Sequence, residues 1–241
     1  MRIRFRIKYH ENDVKLRVDY RRAVAKLIKV ALKESSPDLF EIYYGNKKAN
    51  IPKPFTFSVN FKPKGKENDF FILENNHLLN IYLSSFDPVF VVSIYNGLLE
   101  LKENPMIFDN VKHEIVDFFV FPERKFNKPE YTFKTLSPIL VREIEDRKGK
   151  GFLSWENEKF IPNLIESINT MIKFYKNVDI KNNIDIKLEK MKSKPIRNYG
   201  GEIGNIGYLT ISADPEVLSF IYKSGIGAKR SQGFGMLEVV E

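Results

Sequence analysis

Residues 2–9 alternate strictly, Ile3, Phe5, Ile7 and Tyr9 against Arg2, Arg4, Arg6 and Lys8. A period of two predicts a half-buried strand with one cationic face. Val24, Leu27, Ile28, Ala31 and Leu32 then follow the i, i+3, i+4, i+7, i+8 spacing of an amphipathic helix between Asp19 and Pro37. Its exposed side carries Arg22, Lys26, Lys29 and Lys33. Beyond Pro52 and Pro54, Phe55, Phe57, Val59 and Phe61 alternate with Thr56, Ser58, Asn60 and Lys62, another strand. Glu74-Asn75-Asn76-His77 predicts a hairpin turn joining 70–73 to 78–83, with His77 as a turn residue. Residues 86–101 carry both periods: Val89 to Val92 favour a strand, while Phe86, Phe90, Ile94 and Leu98 suit a helix. Asp87-Pro88 is a helix start, which favours the helix. A strand over 111–121 follows, with His113 on the face of Val111 and Ile115 as a structural histidine.

After the polar linker 122–129 the order repeats. A strand at 131–141 leads to a helix over 160–175, strands follow near 184–191 and 207–212, and Asp214-Pro215 opens a short helix as N-cap and N1. That helix ends at Gly225, and a final strand covers 234–240. Both halves therefore read β-α-β-β-α-β, an α+β fold of two tandem ferredoxin-like (RRM-like) domains over residues 1–122 and 129–241. In that arrangement both helices cover one sheet face, leaving the other free for a partner.

Composition narrows the partner. Lysine and arginine outnumber acids 39 to 31, for a net charge of +8 and a pI near 9.3, the balance of a protein that meets a polyanion. The chain has no cysteine, which excludes disulfides, thiolate zinc and a thiol nucleophile. His10, His77 and His113 lie far apart, outside any metal-ligand spacing, so neither a metal nor a cofactor is expected. The N-terminus has no apolar signal core and no stretch approaches a membrane span, which reads as a soluble cytoplasmic protein.

The most informative segment is Gly225-Ile226-Gly227-Ala228-Lys229-Arg230-Ser231-Gln232-Gly233-Phe234-Gly235. Repeated glycines let backbone N–H groups converge on an anion. Lys229 and Arg230 add charge and the run contains no acid, so phosphate is the matching ligand. The spacing is not that of a P-loop, and no strand-glycine-helix order surrounds it. Paired aromatics in the RNP pattern of RNA-recognition modules are also missing.

With its final strand, this run resembles the glycine-rich signature of the RAMP superfamily of CRISPR-associated proteins, most closely that of the Cas-six family of repeat-RNA-processing endoribonucleases. Lys53-Pro-Phe-Thr-Phe-Ser58 and Thr135-Leu-Ser-Pro-Ile139 agree in order and spacing, so the resemblance covers essentially the whole chain. It implies a metal-independent endoribonuclease that cuts the CRISPR transcript within each repeat. The ribose 2′-OH attacks the scissile phosphate, leaving 2′,3′-cyclic phosphate and 5′-OH ends.

The resemblance places the reacting groups on the first helix and the loop after it. Many members carry a histidine there; Tyr44 stands at that position here, with Lys29 and Lys53 as the accompanying cations. Lys29, Tyr44 and Lys53 are the candidate catalytic residues, and His10 could reach the same area. For RNA grip the candidates are Arg2, Arg4 and Arg6 on the first strand, a run Lys187, Lys190, Lys192, Lys194 and Arg197 on a hairpin turning near Gly200-Gly201, and Gly225, Gly227, Lys229, Arg230, Ser231, Gln232 and Gly233 in the loop. Tyr43, Phe126 and Tyr199 are candidates to stack on unpaired bases. The expected partner is CRISPR repeat RNA, with an effector complex or a second copy as further possibilities. The alternative is an inactive repeat-RNA-binding RAMP protein or effector subunit, which the missing histidine favours.

Overall fold

The computed structural model describes residues 1–9, 14–45, 51–74, 77–103, 107–108, 111–144, 151–176, 183–196 and 202–240. The chain divides into two units, Met1–Pro54 with Ser58–Pro122, and Phe55–Phe57 with Glu123–Glu241.

The first unit begins with β1 (Arg2–Tyr9) and β2 (Lys15–Arg17), then α1 (Tyr20–Ser35), a short α2 (Pro37–Phe40) and a π-helical turn (Glu41–Gly45). Next come β3 (Phe55–Asn60), β4 (Gly65–Glu67), β5 (Phe70–Ile72), β6 (Leu78–Ser85), α3 (Pro88–Glu103), β7 (Ile107–Phe108) and β8 (Val111–Val120). The main sheet runs β3-β6-β1-β8-β7. Leaving out the two-residue β7, this is the ferredoxin-like order 2-3-1-4, with β1 central and antiparallel to both β6 and β8. Ile3, Phe5 and Ile7 are fully buried, as the alternation demands, and Val24, Ile28, Ala31 and Leu32 of α1 are buried too.

The ambiguous stretch resolves as α3. Asp87 caps it, its carboxylate accepting from Val89 N at 2.9 Å and Phe90 N at 3.3 Å. Helix α1 opens differently: Asp19 makes no side-chain cap and instead pairs with Arg17 at 2.9 Å and Arg22 at 3.7 Å. The two helices meet at Gly97, where a Cβ would stand 1.9 Å from the Ala31 carbonyl oxygen, so only glycine permits the approach.

The hairpin expected across residues 74–77 is a misreading. His77 does turn there, its N–H bonded to Glu74 O at 3.2 Å. Strand β5, however, pairs with β2 and β4 in a separate three-stranded sheet, while β6 lies between β3 and β1. Hydrophobic β6 is claimed by the main sheet on both edges, leaving β5 to the short polar strands that the alternation pattern does not reveal.

The second unit contains β9 (Glu130–Thr135), α4 (Phe160–Lys176), β10 (Asp185–Ile196), β11 (Glu202–Ser212), α5 (Pro215–Ser224), a 3-10 turn (Arg230–Gln232) and β12 (Leu237–Val240). Its order, β10-β11-β9-β12, is again 2-3-1-4. Strand β9 stops six residues short of its predicted end, because 136–142 leaves the sheet to bond the glycine-rich loop. Strands β10 and β11 are longer than predicted and pair from Asp185↔Ser212 to Ile196↔Glu202, with a bulge where Lys190 takes φ 48°. The turn of that hairpin, including Arg197, Tyr199 and Gly200-Gly201, lies outside the described residues, as does His10. Among the described residues, no helix is long and apolar enough to cross a membrane.

Gly97→Ala is expected to destabilise the protein by about 1–3 kcal/mol through overpacking, read as a lowered urea midpoint with an unchanged slope.

Candidate active site and nucleic-acid interface

Lys29, Tyr44 and Lys53 converge in the first unit. Helix α1 presents Lys29 on its exposed stripe, and the π-helical turn swings Tyr44 onto Phe40, ring centroids 5.5 Å apart and nearly parallel. Lys29 Nζ stands 5.1 Å from the Tyr44 centroid and 5.5 Å from that of Phe40. Lys53 Nζ stands 5.1 Å from the same Tyr44 ring. Two ammonium groups thus share one aromatic ring, a cation–π arrangement that holds charge without an acid. Neither lysine has a carboxylate within ion-pair distance among the described residues. Burial and the Lys29 charge hold the Lys53 ammonium below the ordinary lysine pKa. Burial pushes the Tyr44 phenol up to about 12, which keeps its proton in place at neutral pH. The neighbouring Tyr43 packs edge-on against Phe90, and burial followed by Asp87 raises its pKa also.

The arginine face of β1 carries an internal acid. Arg6 bonds Asp117 of β8 directly, and Arg4 lies 3.7 Å from the same carboxylate and 5.6 Å from the exposed Phe119 ring. The Arg6 hydrogen bond, more than the surrounding charges, lowers the Asp117 pKa. Arg2 is buried, with 6% of its surface exposed.

In the second unit the loop glycines are required by the backbone. Gly225, Gly227, Gly233 and Gly235 all have φ between 71° and 87°. A Cβ on Gly235 would stand 1.8 Å from Ile226 O, and one on Gly227 2.5 Å from Leu140 O. The loop is fastened to the Thr135–Ile139 motif: Gly235 N donates to Pro138 O and Ala228 N to Leu140 O, each at 2.8 Å, while Met236 N donates to the Ser137 hydroxyl at 2.9 Å. Thr56, from the first-half motif, donates its hydroxyl to Phe234 O at 2.7 Å.

Both loop cations are engaged internally. Lys229, at φ 54°, pairs with the buried Glu202 and sits 5.2 Å over the Phe152 ring. Arg230 donates to Ser224 O at 2.9 Å, satisfying a carbonyl at the end of α5, and burial lowers its pKa to about 10 despite an opposing contribution from Tyr175. The Ser231 hydroxyl and the Gln232 side-chain amide make no hydrogen bond among the described residues, and the Gln232 side-chain oxygen is buried without a partner.

On the hairpin, Lys187, Lys190, Lys192 and Lys194 are exposed and have no acid partner among the described residues. Beneath it lies Asn205, fully buried. Its side-chain oxygen accepts from Trp155 N and the Ser193 hydroxyl, each at 2.8 Å. Its amide donates to Leu153 O at 3.0 Å and Ile139 O at 3.2 Å, and its backbone exchanges both bonds with Ile139.

Phe126, a candidate base-stacker, packs instead among Tyr131, Phe133 and Tyr222. Nothing local in the sequence marks Asp117, Glu202 and Asn205, since their hydrogen-bond partners lie 12 to 111 positions away; Glu202 is distinguished only as an acid flanking a basic hairpin.

Two units of 2-3-1-4 order, the second ending in a glycine-rich loop, define a tandem ferredoxin-like protein. Residues 121–239 match the family described as CRISPR associated protein Cas6, C-terminal. A CRISPR-associated endoribonuclease Cas6 from Methanocaldococcus jannaschii is 29% identical over 172 residues, 67% of this chain and 63% of that protein, so the match spans less than two thirds of that relative. A CRISPR-associated endoribonuclease Cas6 from Pyrococcus furiosus is 28% identical over 251 aligned positions, covering 99% of this chain and 90% of the other. The solved structure of a Cas6-related protein from Pyrococcus furiosus superposes with a TM-score of 0.84 at 20% identity, over 100% of this chain and 98% of that one. The second unit thus matches the Cas6 C-terminal family, and the likeness to a Cas6 relative runs along nearly the whole chain.

Asn205→Ala would orphan Leu153 O and Trp155 N, while Ile139 O keeps its backbone donor. At about 1–3 kcal/mol per unsatisfied buried group, a loss of at least roughly 2 kcal/mol is expected in chemical denaturation.

Proposed function

We propose that this protein is an endoribonuclease that processes CRISPR repeat RNA, with Lys29, Tyr44 and Lys53 at its active site. The observation that carries the proposal is the convergence of two lysines on one tyrosine with no acid to neutralise them. Such a site suits an oligoanion whose charge grows in the transition state. In the reaction the 2′-oxygen attacks the adjacent phosphorus and loses its proton, while the bond to the 5′-oxygen breaks and that oxygen takes one up. The products are a 2′,3′-cyclic phosphate and a 5′-OH.

Lys53, with its lowered pKa, is the group best matched to protonating the leaving 5′-oxygen. Lys29 adds positive charge beside the phosphate. Tyr44 keeps its proton and acts as a donor to a phosphate oxygen. The exposed hairpin lysines, together with Ser231 and Gln232 of the loop, grip the RNA. Lys229 and Arg230 build the loop that presents those two side chains, since their charges are engaged within the unit.

A second reading has one observation in its favour: with Tyr44 pushed up to about 12, no group here is an effective base at neutral pH. On that reading the protein binds repeat RNA without cutting it.

Incubating the protein with repeat RNA in EDTA, beside RNA carrying a 2′-deoxy group at the cut site, separates the two. Cleavage of the first alone supports 2′-OH attack; binding with neither cleaved leaves the binding reading.

Lys53→Met is expected to slow cleavage by about 10²–10³-fold with little change in RNA affinity. The pH profile tests the acid role. A protonated Lys53 is required, so the rate falls as pH rises through its native pKa. Lys29→Met removes the like charge that lowers this pKa, so the alkaline limb moves to higher pH even as the maximal rate drops. An unmoved limb argues against Lys53 as the acid.

Asp117→Asn frees Arg4 and Arg6 for phosphate. Tighter RNA binding is expected, with a log–log salt dependence steeper by roughly 0.7 for each additional phosphate neutralised.

A further inference from the structure

Lys29 is an exposed side chain on a flexible stem, set by α1 in a stripe of like charge with Arg22, Lys26 and Lys33. Lys26 and Lys33 lie three and four positions away, neighbours on a helix surface, and repel it along the helix. Lys53 repels it across the site. The acids on the elements that follow α1 do not neutralise it. Asp38 of α2 makes no ion pair among the described residues, and Glu41 turns its carboxylate onto Gly45, where a Cβ would collide with it. Electrostatics alone would send this ammonium out into solvent, and what holds it is aromatic.

Lys29 Nζ stands 5.1 Å from the Tyr44 centroid and 5.5 Å from the Phe40 centroid. Those two centroids are 5.5 Å apart, with the rings 26° from parallel. The three centres form a nearly equilateral triangle, so the ammonium lies within cation–π range of both members of a stacked pair. Lys53 differs: among the described residues it lies over Tyr44 alone. Both rings of the pair are themselves anchored. Phe40 N donates to Ser36 O at 2.9 Å, closing the single turn of α2, and Ser36 N donates to Leu32 O of α1 at 2.9 Å. The Ser35 hydroxyl donates to Ser93 O of α3 at 2.6 Å, and Tyr43 meets Phe90 of the same helix edge-on at 5.5 Å.

We propose that Phe40 is a positioning residue of the candidate active site: with Tyr44 it forms a two-ring seat that keeps the Lys29 ammonium beside Lys53. The inference rests on the active-site reading above and adds a residue that acts through Lys29. A leucine at this position fills space but offers no quadrupole. Lys29 would then leave the ring pair, and Lys53 would lose its like-charged neighbour. Because that charge, after burial, holds the Lys53 pKa down, the pKa would rise toward the ordinary lysine value.

Phe40→pentafluorophenylalanine separates the quadrupole from the shape. The fluorinated ring still stacks on Tyr44, but its face is positive and repels an ammonium. Two readouts are followed in the full chain. Competitive acetylation with acetic anhydride across pH, resolved by peptide mass spectrometry, titrates Lys53 without RNA. Single-turnover cleavage of repeat RNA follows the reaction. In Phe40→Leu and in the fluorinated variant, the Lys53 titration and the alkaline limb of cleavage are expected to move up together by about half a pH unit. The maximal rate should fall about ten- to a hundred-fold, as for a misplaced catalytic group, with little change in affinity for 2′-deoxy RNA. Phe40→Tyr keeps the ring and should behave as the parent protein does. In a Lys29→Met background, Phe40→Leu should move the titration no further, since the cation it positions is gone.

A Lys53 titration left in place by both Phe40→Leu and the fluorinated ring overturns the positioning role, even where the thermal midpoint drops. A shift that recurs in full in the Lys29→Met background traces to altered burial of Lys53 and also overturns it. Absence of cleavage by the parent protein overturns the endoribonuclease reading, and the catalytic purpose of the seat falls with it, while acetylation still reads the seat itself.

Discussion

The second unit depends on the backbone of one short extended segment, residues 136–142. Its carbonyls point alternately to two clients. Pro138 O and Leu140 O accept from Gly235 and Ala228 of the glycine-rich loop, and Ile139 O, facing the other way, accepts from Asn205. The segment can serve both because an extended chain turns successive carbonyls to opposite sides. It can do so at such close range only because Gly227 carries no Cβ, which would stand 2.5 Å from Leu140 O. The Leu-Ser-Pro-Ile motif, the loop glycines and the buried asparagine are thus three parts of one contact. That contact fixes the loop relative to the β10–β11 hairpin.

Charge is organised differently in the two units. In the first, Lys29 and Lys53 are left without an acid among the described residues and rest on Tyr44, and burial, followed by the repulsion between them, lowers the Lys53 pKa. In the second, Lys229 and Arg230 are consumed by Glu202 and by the end of α5, while the hairpin lysines stay open. A net charge of +8 therefore says little by itself about where an anion is welcome. What matters is which cations the fold has already matched.

This explains how far the sequence could be read. Elements with a strong period were plain: β1 by alternation, α1 and α4 by the helical stripe, α5 by Asp214-Pro215 and Gly225. The α3 segment was decided by a cap, Asp87, that does act as one. Weakly patterned pieces were misassigned, as with β5, whose partners β2 and β4 are three residues long and polar. The grouping of Lys29, Tyr44 and Lys53 was reachable because all three lie within 25 positions and the resemblance to the family pointed to them. The counter-ions were not, because Asp117 meets Arg6 across 111 positions and Glu202 meets Lys229 across 27. Pairing at that range is set by strand register, which residue-level patterns do not encode.

The π-helical turn that carries Tyr44 makes the position of that ring a matter of residue count. A π turn accommodates one residue more than an α turn of similar path. Removing one residue between Phe40 and Tyr44 would restore ordinary α-helical phasing and rotate every later side chain by about 100°. The tyrosine would then leave the two ammonium groups although its identity had not changed. In this part of the family, insertions and deletions in the 41–45 turn should consequently redistribute the ring-bearing position more drastically than substitutions do, and alignments that ignore such length changes will pair chemically unrelated residues.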